Sequence, residues 1–228
     1  MMPQTYVSAD IVIVGGGMVG ATLAIALSTA GIKVVLLDRL AADSNTALHY
    51  DGRASAIANG SVNILKRIGV WPYLETDASP IWDIRVADGH PLRGVSPLSL
   101  HYDHSDIGQD PFGFIVENRC IRETLKRVIS RCESLTYIES ANVVSNERGL
   151  FGVTVETDEG LRLKAALLVA ADGRKSQIRL EAGINTHIKM YPQKSIVCNI
   201  SHPLKAELPI ILAKGSLIVS NISHPIKA

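Results

Sequence analysis

Cysteine is scarce in this chain. Cys120, Cys132 and Cys198 are odd in number, and none stands at CxxC spacing from another, so the sequence offers no zinc site and suits a reducing compartment. An excess of one charge is lacking too: 23 basic residues face 22 acidic ones, a net charge of +1. That balance argues against a protein whose main partner is nucleic acid or an acidic membrane surface. Met1 to Asp10 hold no basic start, apolar stretch and small-residue cleavage site, so no secretory signal is visible and a cytoplasmic protein is expected. The histidines are scattered, and His187, His202 and His224 have no ligand-like partners at useful spacing. No metal site is expected. Length and an apolar content of 46% suit one large globular domain or two small ones.

An uninterrupted membrane helix is also missing, although one run invites the reading. Between Ile11 and Leu37 the only charge is Lys33, yet Gly15, Gly16, Gly17, Gly20 and Gly31 suit a continuous helix poorly. The run divides better into a buried strand over 11–14, a turn, a helix over about 18–30 and a second strand over 33–37. Gly31 falls where a left-handed helix cap belongs. Gly15, Gly17 and Gly20 then have the spacing of a dinucleotide-binding turn. Gly15 permits the tight turn, Gly17 lets a pyrophosphate approach the backbone, and Gly20 lets the helix pack closely on the sheet. The helix start aims free N–H groups at the phosphates, and Asp38, ending the second strand, is placed to accept hydrogen bonds from ribose hydroxyls. A tight glycine turn with no ligand is the plainer alternative. The presence of strand, helix, second strand and terminal acid together weighs against it.

Beyond Asp38 the pattern leaves simple alternation. Residues 41–50 read as a loop, and 51–58 lead into a helix with Ser61 as N-cap and Ile64, Leu65 and Ile68 as apolar stripe. Arg53 reads equally as a solvated or a functional arginine. Residues 81–86 alternate as a half-buried strand, closed by a turn over 87–90. A short strand over 112–116 precedes a helix over about 120–132, with Ile121, Leu125 and Val128 inward and Arg122, Lys126, Arg127 and Arg131 on a solvated face. Strands are expected over 135–139, 152–157 and 161–169, with Asp158-Glu159-Gly160 a tight turn. The last strand runs into Asp172-Gly173, and Ser176 and Arg179 follow.

Taken together, these residues resemble the class A FAD-dependent aromatic hydroxylases, the para-hydroxybenzoate hydroxylase-like group, and within it the ubiquinone-biosynthesis hydroxylases. The match is carried by Asp10 to Gly17, Leu37-Asp38-Arg39, Asp51-Gly52-Arg53 through Ile57, Val116-Glu117-Asn118-Arg119, and Ala170-Ala171-Asp172-Gly173 through Ser176 and Arg179. Tyr191-Pro192-Gln193 adds a further likeness. The resemblance implies an α/β fold: a Rossmann-like FAD/NAD(P)-binding domain with an inserted, incomplete β-rich substrate domain. Residues 1–80 and 112–182 would form the FAD-binding domain and 81–111 the substrate-domain insertion. Residues 183–228 would begin the substrate domain, atypical after about 205.

Position by position, the resemblance implies that Gly15, Gly17 and Gly20 cradle the FAD pyrophosphate and Asp38 holds the adenosine ribose. Arg53 would contact the phosphate–ribityl region and Arg119 the cofactor. Asp172 and Gly173 would form a turn under the pyrophosphate, in a segment also linked to NAD(P)H use. Ser176 and Arg179 read equally as a capped helix start or as ligand contacts. The implied function is an FAD-dependent monooxygenase that hydroxylates an aromatic ring of a ubiquinone precursor with NAD(P)H and O2. The flavin supplies that chemistry, so no catalytic side chain is assigned. The implied partner is a small aromatic substrate, prenylated in the ubiquinone case. Contact with the inner membrane, with a ubiquinone-biosynthesis complex or with a second copy stays open.

One family feature is absent. No Gly-Asp dipeptide, the family's third FAD fingerprint, occurs anywhere, and residues 199–206 recur in near copy as 221–228, flanking an apolar stretch over 208–222. The expectation is a C-terminally truncated hydroxylase with impaired activity. The other readings are a non-catalytic nucleotide-binding remnant or interaction protein, and a different FAD- or NAD(P)-dependent oxidoreductase.

Overall fold

A computed structural model describes residues 6–41, 53–90 and 94–190, with two short strands farther along. The expected loop over 42–50, the Asp51-Gly52 pair, Tyr191-Pro192-Gln193 and both copies of the repeat lie outside the described residues.

In chain order the elements begin with β1 (Tyr6–Ser8), β2 (Ile11–Val14), α1 (Met18–Thr29) and β3 (Val34–Leu37). Next come β4 (Ala54–Ala58), α2 (Asn59–Arg67), β5 (Ser79–Ile81), β6 (Asp83–His90) and β7 (Gly94–Asp103). β8 (Gly113–Glu117), α3 (Asn118–Ile129) and β9 (Leu135–Ile138) follow. Then come β10 (Val143–Gly149), β11 (Gly152–Thr157), β12 (Arg162–Ala165), β13 (Leu167–Ala170) and α4 (Gln177–Glu181). β14 (Ile196–Val197) and β15 (Leu217–Ile218) pair in parallel. The chain divides into two compact units, residues 1–49, 68–70 and 121–187 in the first and 50–67, 71–120 and 188–228 in the second.

The first unit is built on a parallel sheet of order β13-β2-β3-β9. Its two inner strands, Ile-Val-Ile-Val and Val-Val-Leu-Leu, have no polar residue because a parallel sheet is covered on both faces. Alternation divides them: Val12, Val14, Val35 and Leu37 join a core with Val153, Val155, Leu163 and Ala165 of a second sheet and Ile178 of α4. Ile13, Val34 and Leu36, equally buried, point to the other face. That second sheet runs β1-β12-β11-β10. The chain crosses between the sheets three times, after β1, after β9 and after β12. The first and last crossings meet at Asp10, whose carbonyl accepts from the N–H groups of Ala166 (3.0 Å) and Leu167 (3.3 Å).

In the second unit β4, β8 and β5 form an antiparallel sheet. Val62 and Leu65 of α2 are buried, as are Trp71, Leu74 and Val116, and Trp71 meets Phe114 edge-on at 4.9 Å. β6 and β7 make a separate hairpin on which Ile84, Val86, Leu100 and Tyr102 stay exposed.

Several local expectations hold. The apolar run over 11–37 forms strand, turn, helix and strand, Gly31 takes φ +80° just past α1, and Gly160 takes the same φ in its turn. Ile121, Leu125 and Val128 are buried on α3. Among the described residues no helix is long and apolar enough to cross a membrane.

Other expectations are corrected. The strand expected over 161–169 is two, because the chain leaves one sheet for the other at Ala166. The strand expected over 81–86 breaks at Trp82, and its supposed turn over 87–90 continues as strand with a register shift between Ala87 and Gly89. Ser61 is not an N-cap, since α2 starts at Asn59, and Ile64 is exposed because Val62 and Leu65 take the inward positions. β4, β7 and β10 were not anticipated.

Leu163→Ala should therefore cost the first unit about 2–5 kcal/mol in urea denaturation, a cavity in a core closed on both sides. Leu150→Ala, at a side chain 96% exposed, should change it by no more than about 0.5 kcal/mol.

Candidate functional site

The candidate site lies in the first unit, at the C-terminal ends of β13, β2, β3 and β9. β2 ends in Gly15, whose φ of +109° belongs to a region that side chains disfavour. Its N–H donates to the Leu37 carbonyl at 2.8 Å, holding the turn against the neighbouring strand. On the other side the Ala171 N–H donates to the Val14 carbonyl at 2.7 Å. The glycine turn and the Asp172-Gly173 turn thus sit side by side, although Gly15 and Asp172 are 157 positions apart in sequence. A Cβ on Gly15 would overlap the Ala171 carbonyl and approach the Asp172 nitrogen to 2.8 Å. A Cβ on Gly20 would overlap the Gly15 carbonyl, so its absence is what lets α1 close onto the turn.

Gly17 differs from both. It is the N-cap of α1, with no side-chain cap and no acidic residue in the first turn, and a Cβ there would meet nothing within 4 Å. The start of α1 therefore presents uncapped N–H groups and a positive dipole end to open space. This fits a pyrophosphate: packing excludes side chains at Gly15 and Gly20, whereas at Gly17, an N-cap position that favours glycine, the approach to the helix start stays open.

Asp38 follows β3. Its N–H donates to the Ile138 carbonyl (2.9 Å), its carbonyl accepts from the Ala141 N–H (2.8 Å), and Oδ1 accepts from the Leu40 N–H (3.1 Å). A small cavity of about 180 Å³ opens here, lined by Gly16, Gly17, Asp38, Tyr137, Glu139 and Lys126 among others. Lys126 Nζ donates to Glu139 Oε1 at 2.8 Å. Burial, followed by the charges of Asp38 and Glu139, pushes the Tyr137 hydroxyl well above the ordinary tyrosine range, so it stays protonated and able to donate.

Asp172 and Gly173 form the second turn, with Gly173 at φ +90°. Asp172 Oδ2 accepts from the Gln177 N–H at 3.0 Å, while Oδ1 is enclosed without a hydrogen-bond partner among the described residues. Ser176 Oγ accepts from the Arg179 N–H at 3.0 Å, and Arg179 Nη2 donates to the Arg174 carbonyl at 2.8 Å. Of the two readings of this pair, the geometry is that of a helix cap and a braced loop.

Six of the eight residues expected from sequence are thus in the first unit: Gly15, Gly17, Gly20, Asp38, Asp172 and Gly173. Arg53 and Arg119 belong to the second. There the Arg53 carbonyl accepts from the Asn118 N–H at 3.0 Å, and Ser55 Oγ donates to the buried Asn118 Oδ1 at 2.6 Å. Arg119 Nη2 lies 3.4 Å from Glu117 Oε2.

A larger cavity of about 670 Å³ runs along β13 and includes Gly173 and Ser176 but none of the glycine turn. It is the lesser candidate, since it lacks the uncapped helix start. The β6–β7 register also gathers Asp83, His101 and Asp103 within ligating distance of one another on an exposed face. His101 and Asp83 already hydrogen-bond at 2.5 Å, and sequence spacing gave no sign of the group. The residues that sequence reasoning missed at the site are Gly16, Tyr137 and Glu139. Only the pairing of β9 with β3 brings the last two to Asp38.

Comparison with known proteins bears on this arrangement. The chain is 41% identical over 194 residues to ubiquinone hydroxylase UbiL of Rhodospirillum rubrum, covering 85% of this chain and 44% of that protein. It is 30% identical over 200 residues to ubiquinone hydroxylase UbiM of Neisseria meningitidis, covering 86% and 42%. It is 29% identical over 201 residues to 3-demethoxyubiquinol 3-hydroxylase of Escherichia coli, covering 84% and 48%. The chain spans less than half the length of these curated relatives. Among solved structures, the flavin-dependent monooxygenase PieE in complex with FAD and substrate superposes with a TM-score of 0.65 at 20% identity, covering 78% of this chain and 32% of that one. p-Nitrophenol 4-monooxygenase PnpA from Pseudomonas putida superposes equally well at 22% identity, covering 77% and 44%. At such identities these two show a shared fold. The resemblance to the ubiquinone-biosynthesis hydroxylases is borne out, and so is the Rossmann-like α/β class. With the FAD binding domain family matching residues 8–212, nearly the whole chain, this protein belongs to that family.

Proposed function

We propose that this chain carries the FAD-binding part of a flavin-dependent monooxygenase that hydroxylates the aromatic ring of a ubiquinone precursor, with NAD(P)H and O2 as co-substrates. The observation that carries the reading is the vacant approach to Gly17 beside two glycines whose side chains are excluded by packing. Gly15, Gly17 and Gly20 would hold the pyrophosphate at the start of α1, Asp38 the adenosine ribose, and Asp172-Gly173 the underside of the pyrophosphate. Asp172 Oδ1, enclosed without a hydrogen-bond partner among the described residues, calls for a donor there, which a nucleotide's hydroxyls offer and its phosphates do not. Arg53 would contact the phosphate–ribityl region and Arg119 the cofactor. FAD, when bound, supplies the redox and oxygen-transfer chemistry, and the side chains bind it, orient it and keep water away.

In domain terms, residues 1–80 and 112–182 would serve the cofactor, 81–111 would be an insertion on the substrate side, and 183–228 would begin the substrate domain. A prenylated ring partitions into lipid, so the reading puts the protein in the cytoplasm with peripheral contact at the inner membrane. Association with other ubiquinone-biosynthesis proteins would follow from the same substrate.

Purified protein should be yellow and release FAD on denaturation. Free FAD at a hundred times its Kd should stabilise the fold by about 2.7 kcal/mol in thermal unfolding. Colourless protein that gains no stability from FAD overturns the reading. In FAD-loaded protein, a phenolic quinone precursor should stimulate NAD(P)H oxidation; FAD binding without stimulation would favour another flavin oxidoreductase.

The glycines should separate by measurement. Gly17→Ala should cost the fold no more than about 1 kcal/mol yet weaken FAD at least about tenfold, since its methyl occupies the phosphate approach. Gly20→Ala, forced against the Gly15 carbonyl, should lower stability itself by about 1–3 kcal/mol in urea denaturation.

A further inference from the structure

We infer that Tyr137 is a positioning residue of the nucleotide site: its hydroxyl, packed with the Asp38 carboxylate against Gly16, fixes that carboxylate for the ribose hydroxyls of the bound adenosine. The inference rests on the FAD reading above and adds a residue that neither the glycine spacing nor the terminal acid reveals.

The parallel register pairs Tyr137 with Leu36, and paired residues share a face of the sheet. Leu36 lies on the face opposite the core that contains Val35 and Leu37, so Tyr137 does too. A Cβ built on Gly16 would lie 2.5 Å from Asp38 Oδ2 and 2.9 Å from the Tyr137 hydroxyl. Carboxylate and phenol therefore meet at the volume that Gly16 leaves empty. This explains a glycine at the one turn position that the dinucleotide spacing of Gly15, Gly17 and Gly20 does not demand.

The charges around the hydroxyl favour the same assignment. Tyr137 has one proton to donate and two carboxylates beside it, Asp38 and Glu139. Lys126 is bonded to Glu139 at 2.8 Å and offsets its charge. No ion pair reaches Asp38 among the described residues, so of the two carboxylates its charge acts more strongly on the hydroxyl. Its Oδ1 is already held by the Leu40 N–H. With the Tyr137 hydroxyl packed beside the other oxygen at Gly16, the carboxylate is confined on both sides where it lines the cavity. An acceptor set in place before the ligand arrives loses less rotamer freedom on binding.

The test uses the whole chain, with FAD affinity followed by flavin fluorescence and ADP and 2′-deoxy-ADP affinities by calorimetry. The wild-type protein should bind ADP more tightly than 2′-deoxy-ADP, because the ribose hydroxyl meets Asp38. Tyr137→Phe should weaken FAD about three- to tenfold, weaken ADP similarly, and leave 2′-deoxy-ADP nearly unchanged, so that discrimination between the two shrinks. Gly16→Ala, whose methyl displaces the same two groups, should shrink it as well. Equal weakening of ADP and 2′-deoxy-ADP in Tyr137→Phe would make the tyrosine merely structural and overturn the inference. So would unchanged affinities in a protein that binds FAD. A wild-type chain that binds neither FAD nor ADP would instead overturn the functional reading, and this inference with it.

Discussion

The site depends on a contact between two stretches of bare backbone. β2 and β13 lie next to each other in the parallel sheet, and where both end, Gly15 meets Ala171 and Asp172 with no room for a single carbon between them. Gly20 then brings α1 down onto the carbonyl of Gly15, again with no space for a methyl group. The position of the helix start relative to the Asp-Gly turn is therefore set by main-chain sterics, which permit very little play. An anion site made of N–H groups needs that rigidity, because its field falls off within one helical turn.

Asp10 serves the same end from the opposite edge of the sheet. Its carbonyl receives both N–H groups where the chain passes from β12 to β13, and its side chain accepts from the Lys33 N–H at 2.8 Å, just before β3. One residue thus fixes the entry of β2, β3 and β13. Behind them, Val153, Val155, Leu163 and Ala165 of the second sheet close the lower face with apolar contacts. The short strands of the parallel sheet gain from this burial on both faces, since each fully buried Val, Leu or Ile contributes about 1.5–3 kcal/mol.

On the other face the sheet ends in polar groups instead of apolar ones. Asp38, Tyr137, Glu139 and Lys126 line one small cavity, with charge offset at Glu139 and available at Asp38. Under the proposed reading, such a group would discriminate among ligands by which hydroxyls they offer, while the helix start would attend only to negative charge. Phosphate binding and sugar recognition would then fall to different elements, α1 for the first and the ends of β3 and β9 for the second. Membership of the FAD binding domain family gives this division its ligand.

Much of this arrangement was legible in the chain itself. Apolar runs bounded by glycine dictate β2, α1 and β3, the spacing of Ile121, Leu125 and Val128 dictates the buried face of α3, and Ser176 announces a helix cap, because each depends on neighbours within a few residues. The same local logic failed where a strand changed sheets. Residues 161–169 read as one strand by pattern, and only the crossing at Asp10 divides it. It failed again at Ala87 to His90, where a turn-like sequence is carried through by pairing with β7. The sequence by itself determined the glycine turn, the acid after β3 and the Asp-Gly turn, since backbone freedom and charge are properties of single residues. Tertiary structure decided that the two turns touch, that Gly16 must lack a side chain, and that Tyr137 stands beside Asp38. Those are consequences of strand order and register, which join residues that no local periodicity relates.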